Sequence, residues 1–201
     1  MITTLFSARR ILVSRLFAVA FFCVVLMAEP AFEGTLVSTV LFLFGLALVG
    51  VATVGRLWCS AYISGHKDTE LVTTGPYSLT RNPLYFFSLL GFTGVGFATE
   101  TFTLGIALTV FFLAAYPVVI ANEEKVLRGR FGSAFDDYCA RVPRFLPRFS
   151  GFEEPSTLTI NPRLFRRTMG DVIWFVWLVG IIEFVEALHE LHIFEPLLKT
   201  Y

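Results

Sequence analysis

The chain has 201 residues, 55% of them hydrophobic and 16% aromatic, with 23 Phe and a formal net charge of zero. Soluble domains run at roughly 45–50% apolar, so this composition belongs to a membrane protein, and zero net charge gives no general attraction for nucleic acid. Cys23, Cys59 and Cys139 form no CxxC and no metal-type spacing, and they read as free thiols in a reduced setting.

Residues 11–28 are apolar apart from Ser14 and Arg15, and Arg9 and Arg10 precede them. The Glu29-Pro30-Ala31 that follows is a poor cleavage site, so a retained anchor is expected rather than a cleaved signal. Residues 35–58 make a second run, close to the roughly 20 residues that a bilayer requires. Gly45, Gly50 and Gly55 within it are expected to be helix-packing positions. Residues 59–82 are a polar insert, rich in turns. Residues 83–99 and 101–121 are a third and a fourth apolar run, parted only by Glu100, which predicts a tight helical hairpin. Gly91, Gly94 and Gly96 lie inside a run and follow no strand, so they read as close-packing positions rather than a nucleotide loop. Pro117 is expected to kink the fourth run.

Residues 122–142 read as one amphipathic helix, because Leu127, Phe131, Phe135, Tyr138 and Val142 recur at steps of three or four. Glu123 and Glu124 lie beside that stripe at the membrane boundary, where a carboxylate needs a partner. Arg81 is the partner expected, and capping of the helix N-terminus by both acids is the alternative. Pro143 and Pro147 end the helix. Residues 150–167 read as a polar surface loop, and 170–194 as a last apolar helix ending in Glu183, Glu186, His189, Glu190 and His192. Glu186 and His189 have an i, i+3 spacing found in bundle metal sites, but one pair alone assigns no metal. The fold expected is all-α, a polytopic bundle of four to five spans. Its parts are a two-span anchor (1–58), a core (59–149) and a C-terminal region (150–201).

Basic residues set the expected orientation. Arg9, Arg10 and Arg15 flank the first run. Arg56, Lys67 and Arg81 surround the insert. Lys125, Arg128, Arg130, Arg141, Arg144, Arg148, Arg163, Arg166 and Arg167 follow the fourth run. The two remaining short loops hold Glu29, Glu33 and Glu100 and no Lys or Arg. The positive-inside rule puts the N-terminus, the insert and the region after Ala121 on the cytosolic side, in an inner (plasma) membrane. If the last helix spans, Tyr201 lies outside.

The insert carries Gly75-Pro76-Tyr77, then Arg81-Asn82-Pro83 and Tyr85. After the hairpin come Glu123-Glu124, Leu127, Phe131-Gly132, Tyr138, Val142-Pro143-Arg144 and Pro147. These two blocks, over about residues 72–147, resemble the isoprenylcysteine carboxyl methyltransferases and the related phospholipid methyltransferases. The resemblance implies an integral membrane methyltransferase with a cytosolic pocket for S-adenosylmethionine, acting on a lipophilic acceptor. That acceptor would be an isoprenylcysteine-type carboxylate or a phospholipid amine. It implies cofactor contacts from Gly75, Tyr77, Arg81, Asn82, Pro83, Tyr85, Glu123, Glu124 and Arg144, with Arg81 and Glu124 as the catalytic residues and no metal. Where the family often has His, this chain has Asn82, which hydrogen-bonds but does not titrate.

The residue chemistry suits that donor. Arg81 or Arg144 can hold a carboxylate in a fork, Glu123 or Glu124 an ammonium, and Tyr77, Asn82 and Tyr85 an adenosine. A carboxylate acceptor needs no base, whereas an amine must first lose a proton, for which Glu124 is the candidate. Phe86, Phe87, Phe92, Phe111 and Phe112 are candidates to line a route from the bilayer. Two alternatives share features with this reading. One is a nicotinamide-dependent membrane reductase. The other is a non-catalytic membrane scaffold whose pocket has decayed at Asn82.

Overall fold

The computed structural model describes residues 2–64, 70–193 and 195–201, with side chains from Arg15 onward. Lys67 and Phe194 lie outside the described residues, as do the side chains of Arg9 and Arg10. The helices are α1 (Ile2–Met27), α2 (Leu36–Ile63), α3 (Pro76–Leu79), α4 (Pro83–Phe97), α5 (Phe102–Phe131), α6 (Ser133–Arg141), α7 (Pro162–Val172) and α8 (Trp174–Glu190). Two short strands, β1 (Ala28–Pro30) and β2 (Leu198–Thr200), pair in parallel.

Three helical stretches are long and apolar enough to cross a membrane: Leu36–Ile63, Phe102–Phe131 and Pro162–Glu190, the last being α7 and α8 together. The third and first apolar runs are shorter as apolar helices, Pro83–Phe97 and Arg15–Met27. The α7–α8 unit runs the height of the bundle. Near its start Asn161 N donates to Ser64 O at the end of α2, and near its finish the His189 ring meets Leu26 O at 3.0 Å.

Helices α2 and α4 pack most closely, and the cause is glycine. A Cβ on Gly45 would lie 2.6 Å from Gly94 O, and one on Gly94 would lie 2.6 Å from Gly45 O. Only the lack of a side chain lets these backbones touch. Gly55 admits the Phe87 ring, Gly91 the Phe175 ring, and Gly96 the backbone of Gly105. Gly50 departs from the expectation: nothing lies within 4 Å of its Cβ position, because it faces away from α4. Behind the seam, Val49, Val95, Ala98, Leu108, Val179 and Ile182 form the buried core.

The region read as one helix over 122–142 is two. Helix α5 continues through Pro117 to Phe131, and the chain turns at Gly132, whose φ of +54° an L side chain resists. The stripe survives the turn. Phe135, Tyr138 and Val142 still cluster with Leu127 and Phe131, and Leu71 of the insert covers them. The loop read over 150–167 is also corrected, since α7 starts at Pro162. Asn161 Oδ1 accepts from Arg163 N and Leu164 N, and proline occupies the first helical position.

Glu29, Glu33, Glu100 and Glu190 gather at the far end of the bundle. Burial, then the hydrogen bond and charge of Glu29, raise the Glu33 carboxyl above its usual range, and Glu190 and Glu100 add to this. Glu186 and His189 border a small cleft there with Thr99, Thr101 and Thr200. Among the described residues no three metal-ligating side chains converge.

Candidate functional site

At the other end of the bundle the insert and the segment after α5 lock together. Arg81 N donates to Pro143 O at 2.9 Å, Arg148 N to Leu79 O at 2.9 Å, and Gly75 N to Glu153 O at 2.7 Å. The Tyr138 hydroxyl donates to Tyr77 O at 2.7 Å, and burial raises that phenol above its ordinary value. Short α3 and the Asn82-Pro83 start of α4 are thus held against α6 and the proline-containing segment beyond it.

Glu124, near the end of α5, is the hub. Its Oε1 lies 3.4 Å from Arg81 Nε and accepts from Asn82 Nδ2 at 3.3 Å, while its Oε2 accepts from Arg144 Nε at 3.1 Å. Asn82 Nδ2 also donates to Arg144 O at 2.8 Å, and these two acceptors fix which way the amide points. Arg81 Nη1 donates to Cys139 O at 3.3 Å. One turn along, the Tyr85 hydroxyl donates to Glu123 Oε1 at 2.8 Å. The ion pair expected between Arg81 and one of the adjacent acids therefore forms with Glu124, and Arg144 shares it.

The structure brings together Arg81, Asn82, Glu124 and Arg144, with Tyr85 and Glu123 alongside. The structure places the others in the signature outside this cluster. Pro83 is buried as the first residue of α4. Gly75 adopts φ +60°, and a Cβ there would lie 2.3 Å from the Tyr62 ring, so it serves the turn. Tyr77 points its hydroxyl inward, where it is buried without a hydrogen-bond partner. Burial pushes that hydroxyl well above a phenol's ordinary value, and the charges of Cys59, Tyr138, Glu123 and Arg56 also reach it.

An aromatic ladder leads from this cluster into the bundle. Tyr85 packs on Tyr116, which stacks on Phe112 at 3.8 Å; Phe112 meets Phe92, and Phe92 meets Phe175. Phe92 and Phe112 thus lie on the α4–α5 seam. Phe111 instead stacks on Phe17 of α1 at 3.7 Å. At the foot of the ladder sits Arg56 of α2. Its Cζ lies 5.7 Å from the Phe175 ring centre and its Nη1 donates to Ser88 Oγ. Sequence reasoning used Arg56 only for orientation, although an arginine inside a spanning helix is itself a signal of a site.

Residues 35–134 match the phospholipid methyltransferase family. The chain is 46% identical to the nickel-cobalt-cadmium resistance protein NccN of Alcaligenes xylosoxydans over 144 residues, which is 72% of this chain and 67% of the relative. The chain belongs to the phospholipid methyltransferase family. It is also 41% identical to the cobalt-zinc-cadmium resistance protein CzcN of Cupriavidus metallidurans over 165 residues, 82% of this chain and 76% of that one. No solved structure matches. The family, an integral membrane methyltransferase group, and the long apolar helices together make this an integral membrane protein.

Glu124 spends one oxygen on Arg144 Nε, while Arg144 is half-exposed and, among the described residues, neither of its terminal nitrogens has a hydrogen-bond partner. A free guanidinium edge beside two carboxylates is the donor set for an amino-acid group.

Proposed function

We propose that the protein transfers a methyl group from S-adenosylmethionine to a lipophilic acceptor at the end of the bundle that carries Glu124. The observation behind this reading is the four-residue cluster of Arg81, Asn82, Glu124 and Arg144, built from both blocks of the family resemblance. Arg144 binds the carboxylate of the donor, and Glu123 and Glu124 its ammonium. Arg81 fixes the Glu124 carboxylate, and Asn82 ties it to the Arg144 backbone. Bound there, the donor supplies a methyl carbon activated by its sulfonium. Methyl transfer is an in-line displacement, and the work left to the protein is alignment and exclusion of water. Tyr85, Tyr116 and Phe112 provide an apolar wall against the cluster for that purpose. The acceptor reaches the site from the bilayer along the α4–α5 seam.

The basic residues at this end support a cytosolic site in an inner membrane, with β1 and β2 on the opposite side. The two relatives are named for resistance to nickel, cobalt, zinc and cadmium. We carry over from them only a setting, methylation of a membrane constituent in cells under metal stress. The test is calorimetric binding of S-adenosylmethionine to detergent-purified protein, followed by transfer of its labelled methyl group to membrane extracts. Binding that Glu124→Gln abolishes supports the reading. Absence of binding by the wild-type protein, with no label transferred, overturns it.

A further inference from the structure

Arg56 presents a problem that the methyl-donor cluster does not solve. It lies inside α2, seven residues before Ile63. At about 1.5 Å per residue it sits roughly 10 Å below that end of the helix. The 28 residues of α2 span about 42 Å against a hydrocarbon core of about 30 Å, so a centred helix buries Arg56 just inside the core's edge. A cation at that depth needs compensation. The protein supplies only part of it. Nη1 donates to Ser88 Oγ, whose own hydroxyl donates to Leu84 O at 2.7 Å, and Phe175 lies under the guanidinium. Phe175 reaches that position because Gly91 leaves room for its ring. Yet Nε is buried with no partner, and among the described residues no carboxylate pairs with Arg56. The charge of Asp171 reaches it without forming a contact.

A second buried donor lies at the same end of the bundle. The Tyr77 hydroxyl, on α3 against α2, has no partner either. An orphaned buried donor is costly, so Arg56 Nε and the Tyr77 hydroxyl mark a group that the protein is built to receive. Both donors present hydrogen, and one carries full positive charge. The missing partner is therefore an anion with acceptor oxygens. Its depth near the membrane edge calls for a lipid.

We propose that Arg56 and Tyr77, with Ser88 holding the guanidinium in place, bind an oxyanion of the lipid acceptor, as its carboxylate or its phosphate. This rests on the methyltransferase reading for the word acceptor, but the binding site stands on its own geometry. An ammonium headgroup is repelled from Arg56. An amine acceptor can use the site only through a phosphate, and a carboxylate acceptor uses it directly.

The test uses full-length protein in detergent and three labelled probes: oleic acid, dioleoylphosphatidic acid and neutral dioleoylglycerol. The wild-type protein is expected to bind at least one acidic probe tenfold or more tightly than dioleoylglycerol. Preference for oleic acid assigns a carboxylate, and preference for phosphatidic acid assigns a phosphate. Arg56→Ala should erase the preference while S-adenosylmethionine affinity stays within twofold, which also verifies folding. Arg56→Lys should restore part of it. Tyr77→Phe removes a hydroxyl that bonds nothing in the protein. It should weaken the acidic probe threefold or more without lowering the melting temperature. Equal binding of all three probes, or an undiminished preference in both Arg56→Ala and Tyr77→Phe, overturns the proposal. Failure of the wild-type protein to bind S-adenosylmethionine instead overturns the methyltransferase reading and leaves the lipid result to be judged separately.

Discussion

Removing the Glu124 carboxylate should be the most damaging single change at the site, and its cost can be worked out from the contacts. In Glu124→Leu the Arg81 guanidinium, 14% exposed, loses its counter-charge, and Asn82 loses one of its two acceptors. Breaking a buried pair costs about 3–5 kcal/mol. The 3.4 Å separation of Arg81 from Glu124 lacks hydrogen-bond geometry, which argues for the lower end. Arg144, 47% exposed, adds about 0–1 kcal/mol. The expected loss is about 3 kcal/mol, or roughly 6–12 °C in melting temperature for a chain of this size. Arg81→Met should cost less, about 2 kcal/mol, since Glu124 keeps Asn82 and Arg144. The double variant should lose less than the two singles together, by about 1 kcal/mol or more. Thermal unfolding in detergent, followed by the surviving monodisperse fraction, measures all three. An interaction energy under about 0.5 kcal/mol would mean that the pair is a surface contact and that the hub is misassigned.

Asn82→Ala removes the two bonds that tie Glu124 to the Arg144 backbone, and S-adenosylmethionine affinity by calorimetry should fall about tenfold. Tyr138→Phe loses one buried bond to Tyr77 O, worth about 1 kcal/mol, which a thermal scan at neutral pH should register. The raised Tyr138 phenol stabilises the fold while it is neutral, so this contribution is complete below the ordinary value of 10.0 and is lost as pH rises above it. Tyr138→Phe should flatten the alkaline limb of the stability profile, and an unchanged limb would assign that loss to another group. Gly94→Leu drives a side chain into the Gly45 carbonyl, a backbone atom that cannot step aside. Its folded yield by size exclusion should collapse, while Gly50→Leu, at an open position, should fold normally.

Much of the site was legible because it depends on a charge in a place that water does not serve. Glu123 and Glu124 stood beside an apolar stripe and Arg81 was the insert's arginine, so solvation called for a pairing but left open which acid takes part and whether both cap a helix instead. The turn at Gly132 was not legible from periodicity, because the apolar residues keep a spacing of three or four across it and the break lies in the backbone of one glycine. A signal for α7 did exist: Asn161 followed by Pro162 is a cap followed by a helix-starting proline, and the basic residues after it obscured the reading. Gly50 shared the five-residue spacing of Gly45 and Gly55, yet a helix turns 500° in five residues, so the three could not all face α4. Arg56 lies near the end of an apolar run in the sequence, where a positive charge is already accounted for by orientation. Its buried, partnerless Nε becomes visible only with the neighbours in place.

The pairing of β1 with β2 has a consequence for biogenesis. Glu29 O accepts from the hydroxyl of Thr200, 171 residues later in the chain. At roughly 5–20 residues per second, the ribosome takes about 10–30 s to make the segment between them. For that interval the Ala28–Pro30 strand lacks its partner. The order of synthesis thus makes this clasp form only after the helices between the two strands have been made. A product stalled before Leu198 would carry β1 as an open strand edge.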